Sequence, residues 1–122
     1  MSYVWDVFHV ANCQHTNPPK DKFVVIVCED VHCMGFLVNS RIGKYISRRP
    51  ARLACQAKLS KTDYYFLTHD SYLDCFKLLP FRRDELVDGR GQVNDNDKAE
   101  ILRVVAQAKT IEPRYKKLIL GT

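Results

Sequence analysis

The chain has 122 residues, 46% hydrophobic and 27% charged, with a formal net charge of +5. That length suits one domain over residues 1–122 and is too short for two, and the balance is globular rather than disordered. No apolar run approaches the ~20 residues of a membrane span, and Met1 to Asp6 lacks the basic and apolar regions of a secretory leader, so a soluble, cytoplasmic chain with no membrane partner is expected.

The charge is unevenly placed. Residues 1–62 hold nine Lys/Arg and four Asp/Glu, whereas residues 63–122 hold ten of each. Between Asn39 and Thr62 lie Arg41, Lys44, Arg48, Arg49, Arg52, Lys58 and Lys61, with no acidic residue among them. Such a stretch is either a solvated basic loop or a surface for a phosphate-bearing partner.

In chain order, Val4 to Val10 alternates as a first strand, and Asn12 to Lys22, with two prolines and several turn formers, reads as a loop. Phe23 to Cys28 (FVVIVC) is apolar on both faces, as a central strand is. Glu29 to Met34 is a turn, and Gly35 to Asn39 (GFLVN) is a strand that pairs back on FVVIVC as a hairpin. Ser40 to Pro50 reads as a mobile basic loop, and Ala51 to Leu59 as a short strand or a helical turn. Tyr64 to Thr68 (YYFLT) reads as a strand. Tyr72 to Leu79 reads as another, ended by Pro80. Arg82 to Val87 predicts one short helical or 3-10 turn, closed by Gly89 and Gly91.

The clearest helix begins at Asn94 to Asp97, where capping side chains and negative charge meet the positive end of the helix dipole. Ile101, Leu102, Val105 and Ala108 continue it as an apolar stripe at helical spacing. Pro113 interrupts the pattern before an amphipathic tail, Tyr115 to Leu120. Strands first and helix last predict an α+β domain or a small barrel with helical additions.

The sequence holds no phosphate-binding P-loop, dinucleotide fingerprint, H-E-x-x-H or G-x-S-x-G. Cys13 with His15, and Cys28 with His32 and Cys33, carry zinc-ligating atoms but lack a two-residue spacer between cysteines. The five cysteines read as reduced thiols, several buried, and neither metal nor cofactor is expected. His69-Asp70-Ser71 supplies either an acid/base histidine or an ordinary turn. The hairpin places Lys22 beside Asn39, Ser40 and Arg41, with Lys20 close by. A cation, a hydroxyl and an amide then converge next to the basic stretch, a set that binds phosphate and stabilises charge on it. Tyr45, Trp5, Tyr64 and Tyr65 are candidates for base stacking, with core packing expected of Trp5 and of one of the adjacent tyrosines.

Three blocks together resemble the PemK/MazF family of toxin ribonucleases: a basic residue leading FVVIV, the strand GFLVNS, and HDSYLDCFKLLPFRRDELVDGRGQVNDNDKAEILRVV. The similarity covers most of Trp5 to Ala108. It implies a small SH3-like β-barrel with a C-terminal helix, a homodimer, and cleavage of single-stranded RNA without a metal. An acidic antitoxin would occupy the basic groove. By the same resemblance Lys22 stands where the family has an arginine, and Asn39 and Ser40 near its Thr/Ser pair. Lys22 and Arg41 would neutralise the scissile phosphate, Ser40 would polarise it, and His15 or His69 would move protons. Lys20, Asn39, Lys44, Arg48, Arg49 and Arg52 would hold the strand. The chain departs from the pattern at Phe23, where the family has proline, at Asn39 in place of threonine, and in the first loop, which is not glycine-rich. An inactive barrel that binds nucleic acid or an acidic protein is the alternative, and a partner-binding role for the C-terminal tail is a third.

Overall fold

A computed structural model describes residues 2–122. Seven strands form one antiparallel sheet: β1 (Asp6–Cys13), β2 (Lys20–Glu29), β3 (Cys33–Asn39), β4 (Gln56–Leu59), β5 (Ser71–Asp74), β6 (Leu79–Phe81) and β7 (Asp88–Gln92). Their order is β4-β5-β3-β2-β1-β7, with β6 also on β3. The sheet curls into a half-barrel, and helices α3 (Asp95–Gln107) and α4 (Pro113–Leu120) follow it. Among the described residues no helix is long and apolar enough to cross a membrane.

The apolar run of β2 explains the layering. Val24, Val25, Ile26 and Val27 are all fully buried, because the sheet is covered on both faces. Val25 and Val27 point toward one core cluster, shared with Phe36, Leu73, Ile101, Val105 and Ile119. Val24 and Ile26 point toward a second, with Phe8, Leu79, Phe81 and Leu86. The helices close the first face, and β6 with the 3-10 turn Arg83–Glu85 closes the second.

The predicted hairpin is present: Phe23 pairs with Val38 and Ile26 with Gly35. Gly35 is required there, because a Cβ at this position would stand 2.6 Å from the Val25 carbonyl oxygen. The predicted helix is α3, capped by Asn94, whose side chain accepts from the Asp97 amide at 2.8 Å. Its apolar stripe turns Ile101 and Val105 into the core. The tail is α4, with Pro113 in its first turn, where no amide donor is needed.

Several expectations are corrected. The first strand is Asp6–Cys13, shifted toward the C-terminus, and the loop after it is shorter because Lys20 already pairs opposite Cys13. Ser40 to Pro50 is not one irregular loop but contains α1 (Lys44–Ser47) and leads into α2 (Pro50–Leu53). Tyr64 to Thr68 is not a strand. The Tyr64 hydroxyl donates to the Asp97 carboxylate at 2.6 Å and accepts from the Asn94 amide at 3.1 Å, which pulls this segment onto the start of α3. The strand expected over Tyr72 to Leu79 is split. β5 stops at Asp74, and pairing with β3 resumes in β6, which contains Pro80 instead of ending before it. Gly89 and Gly91 do not close a turn; they lie in β7, where the register against β1 slips by a bulge and Gly91 adopts φ +111°.

Trp5 is the buried joint of the termini. Its amide donates to Ile26 O, its carbonyl accepts from the Val93 amide, and its indole donates to Thr122 Oγ1 at 3.0 Å. These contacts hold a non-glycine residue at φ +71°, a conformation that needs such support.

Candidate functional site

Strand ends build the site. Lys20 and Lys22 open β2 and Asn39 closes β3, so antiparallel pairing sets them side by side. Lys22 Nζ donates to Asn39 Oδ1 at 2.7 Å. Lys22 is half-buried, and lost hydration, followed by the charge of Lys20, lowers its pKa below that of a free lysine.

Two depressions meet here. One, of ≈ 330 Å³, is lined by Lys20, Lys22, Asn39, Ser40, Arg41, Tyr45 and Arg52. The other, of ≈ 290 Å³, includes Lys20, Asp21, Lys22, Phe23, Ser40, Phe66 and His69. Lys20, Lys22 and Ser40 belong to both. Among the described residues, Lys20, Lys22, Arg41, Lys44, Arg48 and Arg49 form no ion pair with a carboxylate. Their field is therefore open to an external anion. Lys44 begins α1 and Arg48 caps its end. Arg49 donates to the Tyr45 carbonyl and lies 3.6 Å from the centre of the Tyr45 ring.

Arg52 differs from these. Its Nη2 donates to Asp74 Oδ2 at 2.7 Å, and Asp74 is only 5% exposed. Asp74 Oδ1 also accepts from Gln56 Nε2 at 2.8 Å. Arg52 thus ties α2 to β5, and its contribution to the rim is positional. Nothing in the spacing of Asp74 from Arg52 signals this partnership in sequence.

His69 lines the second depression. The turn around it is also built: Ser71 Oγ donates to the His69 carbonyl, while Asp70 accepts from the Lys61 amide and pairs with Lys58 at 3.5 Å. Asp70 therefore serves the turn. His15 is placed elsewhere. Its ring nitrogen lies 2.7 Å from the Pro80 carbonyl and its exposed ring packs edge-on to Phe81, and it lines neither depression. Of the two histidines read as acid/base candidates, only His69 lies at the Lys22 junction.

The aromatic residues divide as their burial dictates. Trp5 and Tyr64 are core, whereas Tyr45 and Tyr65 are exposed. Phe23 and Phe66, read from the sequence as strand residues only, pack with ring centroids 4.8 Å apart at the second depression.

All five cysteines are free and buried. Burial raises the thiols of Cys33, Cys55 and Cys75, and lifts Cys28 to about 11. Cys28 and Cys33, neighbours in the sequence pattern, belong to opposite core faces. Among the described residues no three His, Cys, Asp or Glu side chains converge to hold a metal ion. A larger depression of ≈ 770 Å³ lies at the far end of the hairpin, beside α4. Arg114 is paired there to Asp30 at 3.2 Å, whereas Lys20 and Lys22 at the other end form no ion pair even though Asp21 lines the same depression.

The chain matches no protein-family model, and no curated protein is significantly similar to it.

Proposed function

We propose that this chain is a PemK/MazF-like endoribonuclease acting on single-stranded RNA. The observation that carries the proposal is the convergence of Lys20, Lys22 and Ser40 where two depressions meet, beside cations without acidic partners. Lysine has three donors. One from Lys22 goes to Asn39, which leaves two for a phosphate.

In the proposed reaction a ribose 2′-oxygen forms a bond to the adjacent phosphorus and the bond to the 5′-oxygen breaks. A proton leaves the 2′-hydroxyl and one is delivered to the departing 5′-oxygen. Negative charge gathers on the non-bridging oxygens, where Lys22 and Arg41 stabilise it in a partly water-excluded site. Ser40 donates a hydrogen bond to one of those oxygens. His69, which lines the second depression, moves the protons, the role imidazole is suited to. An acidic antitoxin segment would cover the same cations, and a homodimer is the assembly proposed with it.

The test is incubation of the purified chain with a long single-stranded RNA in EDTA, beside Lys22→Ala and Ser40→Ala. Discrete fragments from the wild type and intact RNA with both folded variants are expected. Intact RNA with the folded wild type overturns the catalytic reading. Salt-dependent RNA binding in that case would identify a binding module in its place.

A further inference from the structure

We infer that the two depressions are base subsites for consecutive nucleotides, one on each side of a phosphate held at Lys22. The inference rests on the proposed reading of that junction as a phosphate site. Proteins that hold single strands pair a cationic track with aromatic faces, because every base offers a π-surface whatever its sequence. Both components are present here, Lys20 and Lys22 with Phe23 and Phe66 in one depression and with Tyr45 in the other.

On one side the floor is Phe23 against Phe66. Tyr65 stands edge-on to Phe66 at 5.6 Å and is 81% exposed, although Tyr64 beside it is buried. The turn therefore directs one tyrosine into the core and leaves the other in water, against the Phe66 ring that lines the depression. On the other side Tyr45 is 59% exposed, with the Arg49 guanidinium stacked on its ring. A planar guanidinium on an aromatic ring extends a stacking surface and adds positive charge to it. Lys20, Lys22 and Ser40 form the shared wall between the two sides. A phosphate at that wall would have its 5′ and 3′ nucleosides directed into different depressions.

The experiment measures binding of a fully 2′-O-methylated single-stranded RNA of mixed sequence, which lacks the attacking hydroxyl and stays intact. Wild type, Tyr45→Ala, Tyr65→Ala and Tyr65→Phe are compared over a range of salt concentrations. Tyr45 and Tyr65 are exposed, so each variant keeps the core, and thermal unfolding checks this. Each alanine variant should bind about tenfold more weakly. The salt slope should not change, because no phosphate contact is lost, and Tyr65→Phe should retain wild-type affinity. Unchanged affinity in either alanine variant, with the wild type binding well, overturns the two-subsite arrangement and leaves the phosphate site standing. Absence of binding by the wild type overturns the phosphate site, and the subsites with it.

Discussion

Replacing Asp74 with alanine probes the joint that holds the α1–α2 segment on the sheet. Asp74 Oδ2 accepts from Arg52 at 2.7 Å, and Oδ1 accepts from Gln56 at 2.8 Å and from the Phe76 amide at 3.3 Å. Removing the carboxylate strands a guanidinium whose Nε already has no protein partner. Breaking a buried ion pair from one side costs about 3–5 kcal/mol. The Arg52 side chain retains 21% exposure, so water reaches part of the stranded charge and the lower end, about 3 kcal/mol, is expected. Arg52→Ala should cost at least as much, since it leaves the more deeply buried partner unpaired. The double variant removes both charges, and the two losses should fail to add by about 2 kcal/mol. Urea unfolding of the four proteins at pH 7 measures all three quantities. Single losses below about 1 kcal/mol, or strict additivity, would refute the assignment of this pair as the joint.

Two further outcomes follow from the core. Gly35→Ala places a Cβ against the Val25 carbonyl, and the overpacking should cost about 1–3 kcal/mol in the same urea assay; an unchanged midpoint would show that the hairpin relaxes freely. Burial raises the thiols of Cys28, Cys33, Cys55 and Cys75. A raised folded-state pKa favours the protonated fold, so this stability is fully present below the ordinary thiol value of 9.0 and is lost as pH rises through about 11, where Cys28 titrates. Lys22 works in the opposite sense, while Tyr64, raised by burial and by its bond to Asp97, works in the same sense as the thiols. The urea midpoint should therefore fall between pH 9 and pH 11, and iodoacetamide at pH 8 should label the native thiols far more slowly than the unfolded ones. A midpoint that rises over that interval, or rapid labelling of the native protein, would contradict this burial.

What the sequence revealed follows from how local each signal was. FVVIVC identified itself because a strand buried on both faces must be apolar at every position, and GFLVN could pair only as its hairpin partner. That register alone brought Lys22 to Asn39. The stripe from Ile101 to Val105, with Asn94 as its cap, carried α3 in the same way. YYFLT misled because its residues suit a strand, whereas the bonds from Tyr64 to Asp97 and Asn94 are long-range. β7 was hidden by Gly89 and Gly91, which break most strands but here accommodate a bulge against β1. Asp74 could not be linked to Arg52 because they meet only after α2 and β5 are in place. His15 and His69 were both acid/base candidates in sequence, and only His69 lines a depression beside Lys22.

Lys22 is proposed to bind the phosphate backbone of single-stranded RNA. The most direct measurement is the affinity of wild type and Lys22→Met for a 2′-O-methylated single strand across a salt series. Methionine keeps the half-buried apolar stem and removes the charge together with the donor to Asn39. Each phosphate contact on a single strand adds about 0.7 to the slope of log K against log salt. Lys22→Met should bind more weakly, with a slope shallower by about that amount. Equal slopes and equal affinities in the two folded proteins would contradict a phosphate contact at Lys22.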